Sequence, residues 1–383
     1  MCRCRGSGSS VRSRILADSR KRVMAKTLSI SDVKKGSSPP FRRFLAAISA
    51  VVFGTTIALA VAEGIARIVR FAPVVGPSFQ LPVPSGDVGA LKELVLGDMI
   101  RPNVRGLVKG SLYTTNNAGF RGPDVTPSPT PGVFRIMIAG DSVVMGEGVL
   151  DEETYARLLE RELNDTHPDR RFEVLNIGLS GLTFSHVLNR VETLAHRFRP
   201  HLVVYGWTIN DIEGPAYRAS GTLASFQARY DRFDSSPSFL LRALWPRWVS
   251  IEDTIAPSQG SYAYDLRYNY FENDAAWRVF PDGFARLAKL GATSGLCVHV
   301  FLHTQLFGLR FAHPFKPIYE RVEHAAVEHG LSVTSSFPVF AGRNEWMLTL
   351  APDDPHPNAA GHRLLAQALA GGLRGVPEMC QGG

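Results

Sequence analysis

The longest apolar stretch in the chain covers residues 44–62, nineteen positions without a charge. As a helix it would span about 28 Å, the hydrocarbon thickness of a bilayer. Further along, apolar residues come in shorter blocks of a different kind. Ile136, Met137, Ile138 and Ala139 form an unbroken run that stops at Gly140, which fits a strand buried on both faces. Comparable runs predict strands at 172–177, 201–205, 296–302 and 331–334. Between them the spacing turns helical. One helix follows Asp151, a suitable N-cap with acidic residues behind it. Others are predicted over 183–198, near 283–290 and 316–329, and finally through Leu364, Leu365 and Leu369. Strands alternating with helices predict an α/β domain with a parallel sheet and crossover helices.

Several segments break this rhythm. Residues 1–43 are read as a disordered basic tail, since no apolar period appears among their Arg, Lys, Ser and Gly, and Met24 is a candidate start. Residues 44–70 are read as a transmembrane anchor. Residues 71–131 form a neck, with a Pro- and Gly-rich linker at 72–96 and β-prone pieces between Asn and Gly clusters that suggest hairpins at 97–123. The α/β domain occupies 132–372, with a short tail at 373–383. Inside it, residues 212–275 form a long aromatic-rich insertion, either a functional lid or a surface segment packing on itself.

Charge narrows the partners. Residues 1–43 carry twelve Lys and Arg against Asp18 and Asp32, which leaves the rest of the chain at −3 within an overall +7. The basic pI is therefore a property of the tail and gives no reason to expect nucleic acid. Arg42 and Arg43 precede the apolar stretch, so the positive-inside rule puts the tail in the cytoplasm and everything after Ala62 outside. Ala60-Val61-Ala62 resembles a signal-peptidase site, so a secreted, cleaved form is the alternative to an anchor. Cys2, Cys4, Cys297 and Cys380 show no CxxC spacing. Cys297 reads most simply as a small core residue, and a Cys297–Cys380 disulfide is open to a chain outside the cytoplasm.

The chemistry starts at Ser142. Gly140-Asp141-Ser142 delivers a hydroxyl at the carboxyl end of a buried strand, where open α/β sheets hold their ligands. A serine needs a base to take its proton, and the base needs an orienting partner. Asp353-Asp354-Pro355-His356 supplies both. Asp353 can fold back on the His356 ring, with Asp354 as the alternative orienter. The same acids and His356 could be read as metal ligands, but no partner cluster completes a closed site. Acyl transfer also needs donors for an oxyanion. Gly181 offers a bare backbone N–H and Asn210 a side-chain amide, each just beyond a predicted strand. His299, His303 and His362 lie on predicted core elements and read as structural. Arg121 and the insertion aromatics are candidates for substrate contact.

Gly140-Asp141-Ser142, Gly181 after Asn176-x-Gly178-x-Ser180, Asn210-Asp211 and Asp353-x-x-His356 together resemble the four blocks of the SGNH (GDSL-like) hydrolases, in order and spacing over residues 132–372. The third block departs from the usual Gly-x-Asn-Asp, since Thr208 holds the glycine place. The upstream segment through Phe120-Arg121-Gly122 is similar to membrane-anchored bacterial members. The resemblance implies a flavodoxin-like three-layer α/β/α domain, here preceded by the transmembrane helix, and ester hydrolysis or acyl transfer without a metal or cofactor. It assigns Ser142 as nucleophile and first oxyanion donor through its N–H, Gly181 and Asn210 as further donors, His356 as base and Asp353 as its orienter. The expected partner is an acyl ester, with O-acylated glycans and lipids as candidates from location alone. O-acyltransfer to an envelope glycan and a catalytically silent glycan-binding domain are the alternatives.

Overall fold

The computed structural model describes residues 40–68, 95–96, 99–220, 228–229, 232–233, 235–255, 261–310, 313–351, 354–375 and 380. The tail over 1–39 and most of the 72–96 linker therefore lie outside the described residues. Helix α1, Pro40–Ile68, begins four residues inside the expected tail. Residues 41–68 are long and apolar enough to cross a membrane, with a mean hydropathy of 2.3 in the best window. Residues 1–61 and 62–383 are separate compact units.

In the larger unit the first well-formed strands are β1, Arg105–Val108, and β2, Ser111–Thr114, an antiparallel hairpin. Its two-residue turn is Lys109-Gly110, with φ +48° and +80°. Positive φ at both positions makes the turn type I′, whose twist matches that of the flanking strands. The hairpin is not a separate body. Val108, Tyr113, Phe120 and Val125 join the main apolar core.

The central sheet follows. Its strands are β3, Val133–Gly140; β4, Arg171–Asn176; β5, Leu202–Trp207; β6, Cys297–Leu302; and β7, Ser332–Ser335. All pairings are parallel, in the spatial order β4-β3-β5-β6-β7. Counted within the sheet this is 2-1-3-4-5, the flavodoxin-like order, whose switch point lies beside the first strand. Alternation along β3 sends Phe134, Ile136 and Ile138 to one face and Met137 and Ala139 to the other. Helices α2, Phe184–Phe198, α3, Val279–Ser294, and α4, Lys316–Glu328, cover the second face. The first face is covered by two helices, Tyr155–Thr166 and Ala359–Gly372. The domain is thus a three-layer α/β/α sandwich. Each large apolar side chain withdrawn into these two layers contributes about 1.5–3 kcal/mol.

Three local readings change. Asp151 does not cap the helix at Tyr155–Thr166: it begins a 3-10 turn, and Thr154 is the N-cap, accepting from Arg157 N. The insertion is largely helical, with helices at Pro215–Ala219, Phe239–Ile255 and Tyr262–Phe271. Tyr217 and Tyr270 are core residues rather than lid surface, and the Tyr270 hydroxyl donates to Ile209 O at 3.0 Å. Cys297 is bonded to Cys380 across 83 residues. Closing a loop of that length stabilises the fold by about 4.5 kcal/mol on chain-entropy grounds.

Arg121 is the largest departure. Its side chain is 2% exposed and ion-paired to Asp151. The guanidinium also donates to Met145 O at 3.0 Å and to the carbonyls of Gly146 and Val149. It therefore fastens the loop after Ser142 from inside, and it stacks over Tyr113 at 4.9 Å. Truncating one partner of a buried charge network leaves the others unpaired. Arg121→Met is expected to lower unfolding free energy by about 3 kcal/mol in urea titrations. A substrate-contact role would instead raise KM and leave the urea midpoint in place.

Candidate active site

The end of β3 is built by close approach. A Cβ on Gly140 would lie 2.3 Å from Val144 Cγ2 and 2.5 Å from Gly206 O. Only glycine permits β3 and β5 to run together there. The chain then turns into a four-residue helix, Ser142–Met145, capped by the Asp141 carboxylate, which accepts from Val143 N at 3.0 Å. Asn176, at the end of β4, donates to Val144 O at 2.7 Å and accepts from Gly178 N at 3.0 Å. A Cβ at Gly178 would come within 2.3 Å of Met145 N. The first two blocks of the sequence pattern are thereby locked to one another.

His356 reaches this point from the other end of the domain. It lies on a short strand, Asp354–Pro357, paired antiparallel with Thr349–Ala351. His356 Nε2 lies 2.9 Å from Ser142 Oγ. Its Nδ1 lies 2.6 Å from Asp354 Oδ1, which also accepts from the His356 backbone N at 3.1 Å. Asp353, the expected orienter, lies outside the described residues. Asp354 is the carboxylate on the ring. Strand geometry suits the Asp354 contact, because residues two apart share a face. Burial would raise the Asp354 carboxyl, but the bond and charge of His356, reinforced by Lys109, outweigh it and hold the group well below the usual carboxylate range.

Asn210 sits in the 3-10 turn Ile209–Ile212 beyond β5, and its Nδ2 donates to Asp141 Oδ2 at 3.2 Å. One amide hydrogen is spent on fixing the group beside Ser142, and the second remains. Thr208 has ordinary extended backbone, φ −125°, so glycine is not required there. Its N–H and hydroxyl donate to the fully buried Asp211. Gly181 lies on the exposed turn after β4 at φ +75°, and its N–H meets no acceptor among the described residues. Burial pushes the carboxyls of Asp141 and Asp211 upward.

Two residues not singled out in the sequence also belong here. Lys109 Nζ is 2.7 Å from Asp354 Oδ2, 2.9 Å from His356 Nδ1 and 3.0 Å from Glu147 Oε2. Glu147 is 2% exposed and lies 3.8 Å from His356 Nε2. The available signals were a Lys-Gly pair between β-prone pieces and a carboxylate between two glycines.

The other core histidines serve packing. Burial lowers His303 and His362 to about 3, and His299 to about 4, from the ordinary 6.5. His299 rests between the Ser332 and Thr334 hydroxyls, at 2.8 and 3.0 Å.

No family model matches the chain, and no curated protein sequence does. Solved structures similar to it include TesA, at 16% identity over 63% of this chain and 98% of that one, with a TM-score of 0.39. The psychrotrophic esterase EstA from Pseudoalteromonas sp. is 13% identical over 64% and 99%, with a TM-score of 0.38. The lipase/acylhydrolase from Enterococcus faecalis is 14% identical over 63% and 96%, also at 0.38.

A folded-state value below the unfolded one means that stability is full above about 6.5 and falls with pH until about 4 for His299. Between pH 8 and 5.5 that residue alone costs about 1.4 kcal/mol. Buried carboxylates titrate in the opposite sense, so the test is a difference. Urea titrations at the two pH values are expected to show His299→Gln losing about 1.4 kcal/mol less than wild type.

Proposed function

We propose that the chain is an SGNH-type serine hydrolase that cleaves carboxylic ester bonds. The observation that carries this reading is the relay Ser142 Oγ–His356 Nε2–His356 Nδ1–Asp354 Oδ1, at 2.9 and 2.6 Å across the ring. Ser142 attacks the ester carbonyl as His356 takes its proton, and Asp354 holds the ring and stabilises the imidazolium. The developing oxyanion is met by the N–H groups of Ser142 and Gly181 and by the free hydrogen of the Asn210 amide. His356 then protonates the leaving alcohol, and water repeats the sequence on the acyl-enzyme.

In this reading the catalytic domain works outside the cytoplasmic membrane, on the far side of α1. The Cys297–Cys380 bond supports that compartment, since structural disulfides persist in oxidising surroundings. Ester-bearing glycans or lipids of the envelope are the substrates within reach of an anchored enzyme.

Turnover of p-nitrophenyl esters of graded chain length tests the chemistry. Ser142→Ala and Asp354→Asn are expected to lower kcat about a thousandfold or more, and Asp353→Asn to change it only a few-fold. Fluorophosphonate should label wild type and spare Ser142→Ala. Equal turnover by wild type and Ser142→Ala would end the serine mechanism. For the compartment, alkaline phosphatase fused after Val75 is expected to be active, and a silent fusion would reverse the orientation.

A further inference from the structure

Lys109 occupies a backbone position that does not suit it. The first residue of a type I′ turn favours Asn, Asp or Gly, yet a lysine stands there at φ +48°. A strained position kept by a poorly suited residue points to a use for the side chain. That side chain leaves the hairpin and lodges between Asp354 and Glu147, at 2.7 and 3.0 Å, beside the Nδ1 edge of His356. Glu147 is buried beneath it and faces the Nε2 edge at 3.8 Å. A buried carboxylate needs a counter-charge, and Lys109 provides it.

From this geometry we propose that Lys109 and Glu147 are positioning residues for the Ser142–His356–Asp354 relay, bracketing the imidazole with opposite charges and tying Asp354 to the neck hairpin. The proposal rests on the serine-hydrolase reading above. Nδ1 can carry a hydrogen or present a lone pair, not both. With the hydrogen in place it donates to Asp354, and Nε2 is free to accept from Ser142. With the lone pair exposed it accepts from Lys109, and Nε2–H then points at Ser142, which blocks the base. Lys109 holds Asp354 in place as the acceptor for Nδ1, and the shorter of the two contacts, 2.6 Å to Asp354 against 2.9 Å to Lys109, favours the hydrogen on Nδ1 and so the productive tautomer. The other groups facing this ring are Asp141, through its charge, and His362 from the last helix. Neither moves in the variants below.

The signs follow from Coulomb's law. Removing the cation leaves Asp354, Glu147 and Asp141 around the ring, so the imidazolium becomes easier to form. Lys109→Asn should therefore move the acid limb of the kcat/KM profile to higher pH by about one unit. Glu147→Gln leaves the cation and should move that limb to lower pH. The double variant removes both charges, so its limb should return near the wild-type position. In both variants lacking Lys109, kcat should stay about tenfold to a hundredfold low with little change in KM, because Asp354 has lost its anchor. Lys109→Arg should restore the limb. Urea titrations accompany each variant, since Lys109→Asn strands a buried carboxylate whereas the double variant does not.

Opposite limb shifts in the two single variants, with low kcat in a stably folded double variant, would support the proposal. Limbs that stay in place, whether activity is intact or falls only in step with stability, would overturn it and leave Lys109 a turn residue. Full activity in Ser142→Ala would instead remove the underlying reading, a result distinct from an idle Lys109.

Discussion

The site depends on how closely β3 and β5 approach at their carboxyl ends. Gly140 sits so near Gly206 O and Val144 that no side chain fits between them. That closeness lets one buried carboxylate, Asp141, serve both strand ends: it caps the helix carrying Ser142 and receives the amide of Asn210. Asp141 is 1% exposed, and burial drives its carboxyl upward, so its donors are a requirement rather than an ornament. A wider gap would leave Ser142 and the Asn210 amide on separate loops. The flavodoxin-like order puts this junction at the switch point of the sheet, where the flanking crossovers diverge and leave a crevice.

Charge then does what packing cannot. Ser142 and His356 are 214 residues apart in the chain. Their approach is held by the Asp354–Pro357 strand and by a cation from the hairpin at the opposite end of the domain. Arg121 and Lys109 divide that work. Arg121 gathers the carbonyls of Met145, Gly146 and Val149 and shapes the loop beyond Ser142. Lys109 meets the carboxylate which that loop presents, Glu147. Ser111 adds a bond from the same hairpin to Gly148 O at 2.7 Å. The segment read as a neck is thus part of the wall of the site.

Much of this was legible because the signals are local. Strand ends are marked by apolar runs stopping at glycine, and Ser142, Gly181 and Asn210 stand just beyond three such ends. The strands and crossover helices were legible for the same reason, since periodicity needs only a short window. Asp354 was harder. Its neighbour Asp353 is also acidic, and choosing between them depends on whether the segment is a turn or a strand, which pairing with Thr349–Ala351 decides. Lys109 and Glu147 were not legible. A lysine–carboxylate contact spanning 245 residues leaves no trace in spacing. Arg121 was misjudged for the same reason, because its partners are mostly backbone carbonyls, which every residue carries.

Two features with no common origin bear on where such an enzyme would work. The apolar segment of α1, long enough to cross a membrane, follows a strongly basic tail. The Cys297–Cys380 bond pins Cys380 to β6, the strand next to β5. The first is written in composition and the second in tertiary proximity, so neither entails the other. A reducing compartment would dissolve the bond and free Cys380 from β6. An oxidising one keeps the last helix, Ala359–Gly372, tethered at both ends: at its start by the strand that carries His356, and beyond its finish by the disulfide. His356 would then be held to the sheet by a covalent closure as well as by packing.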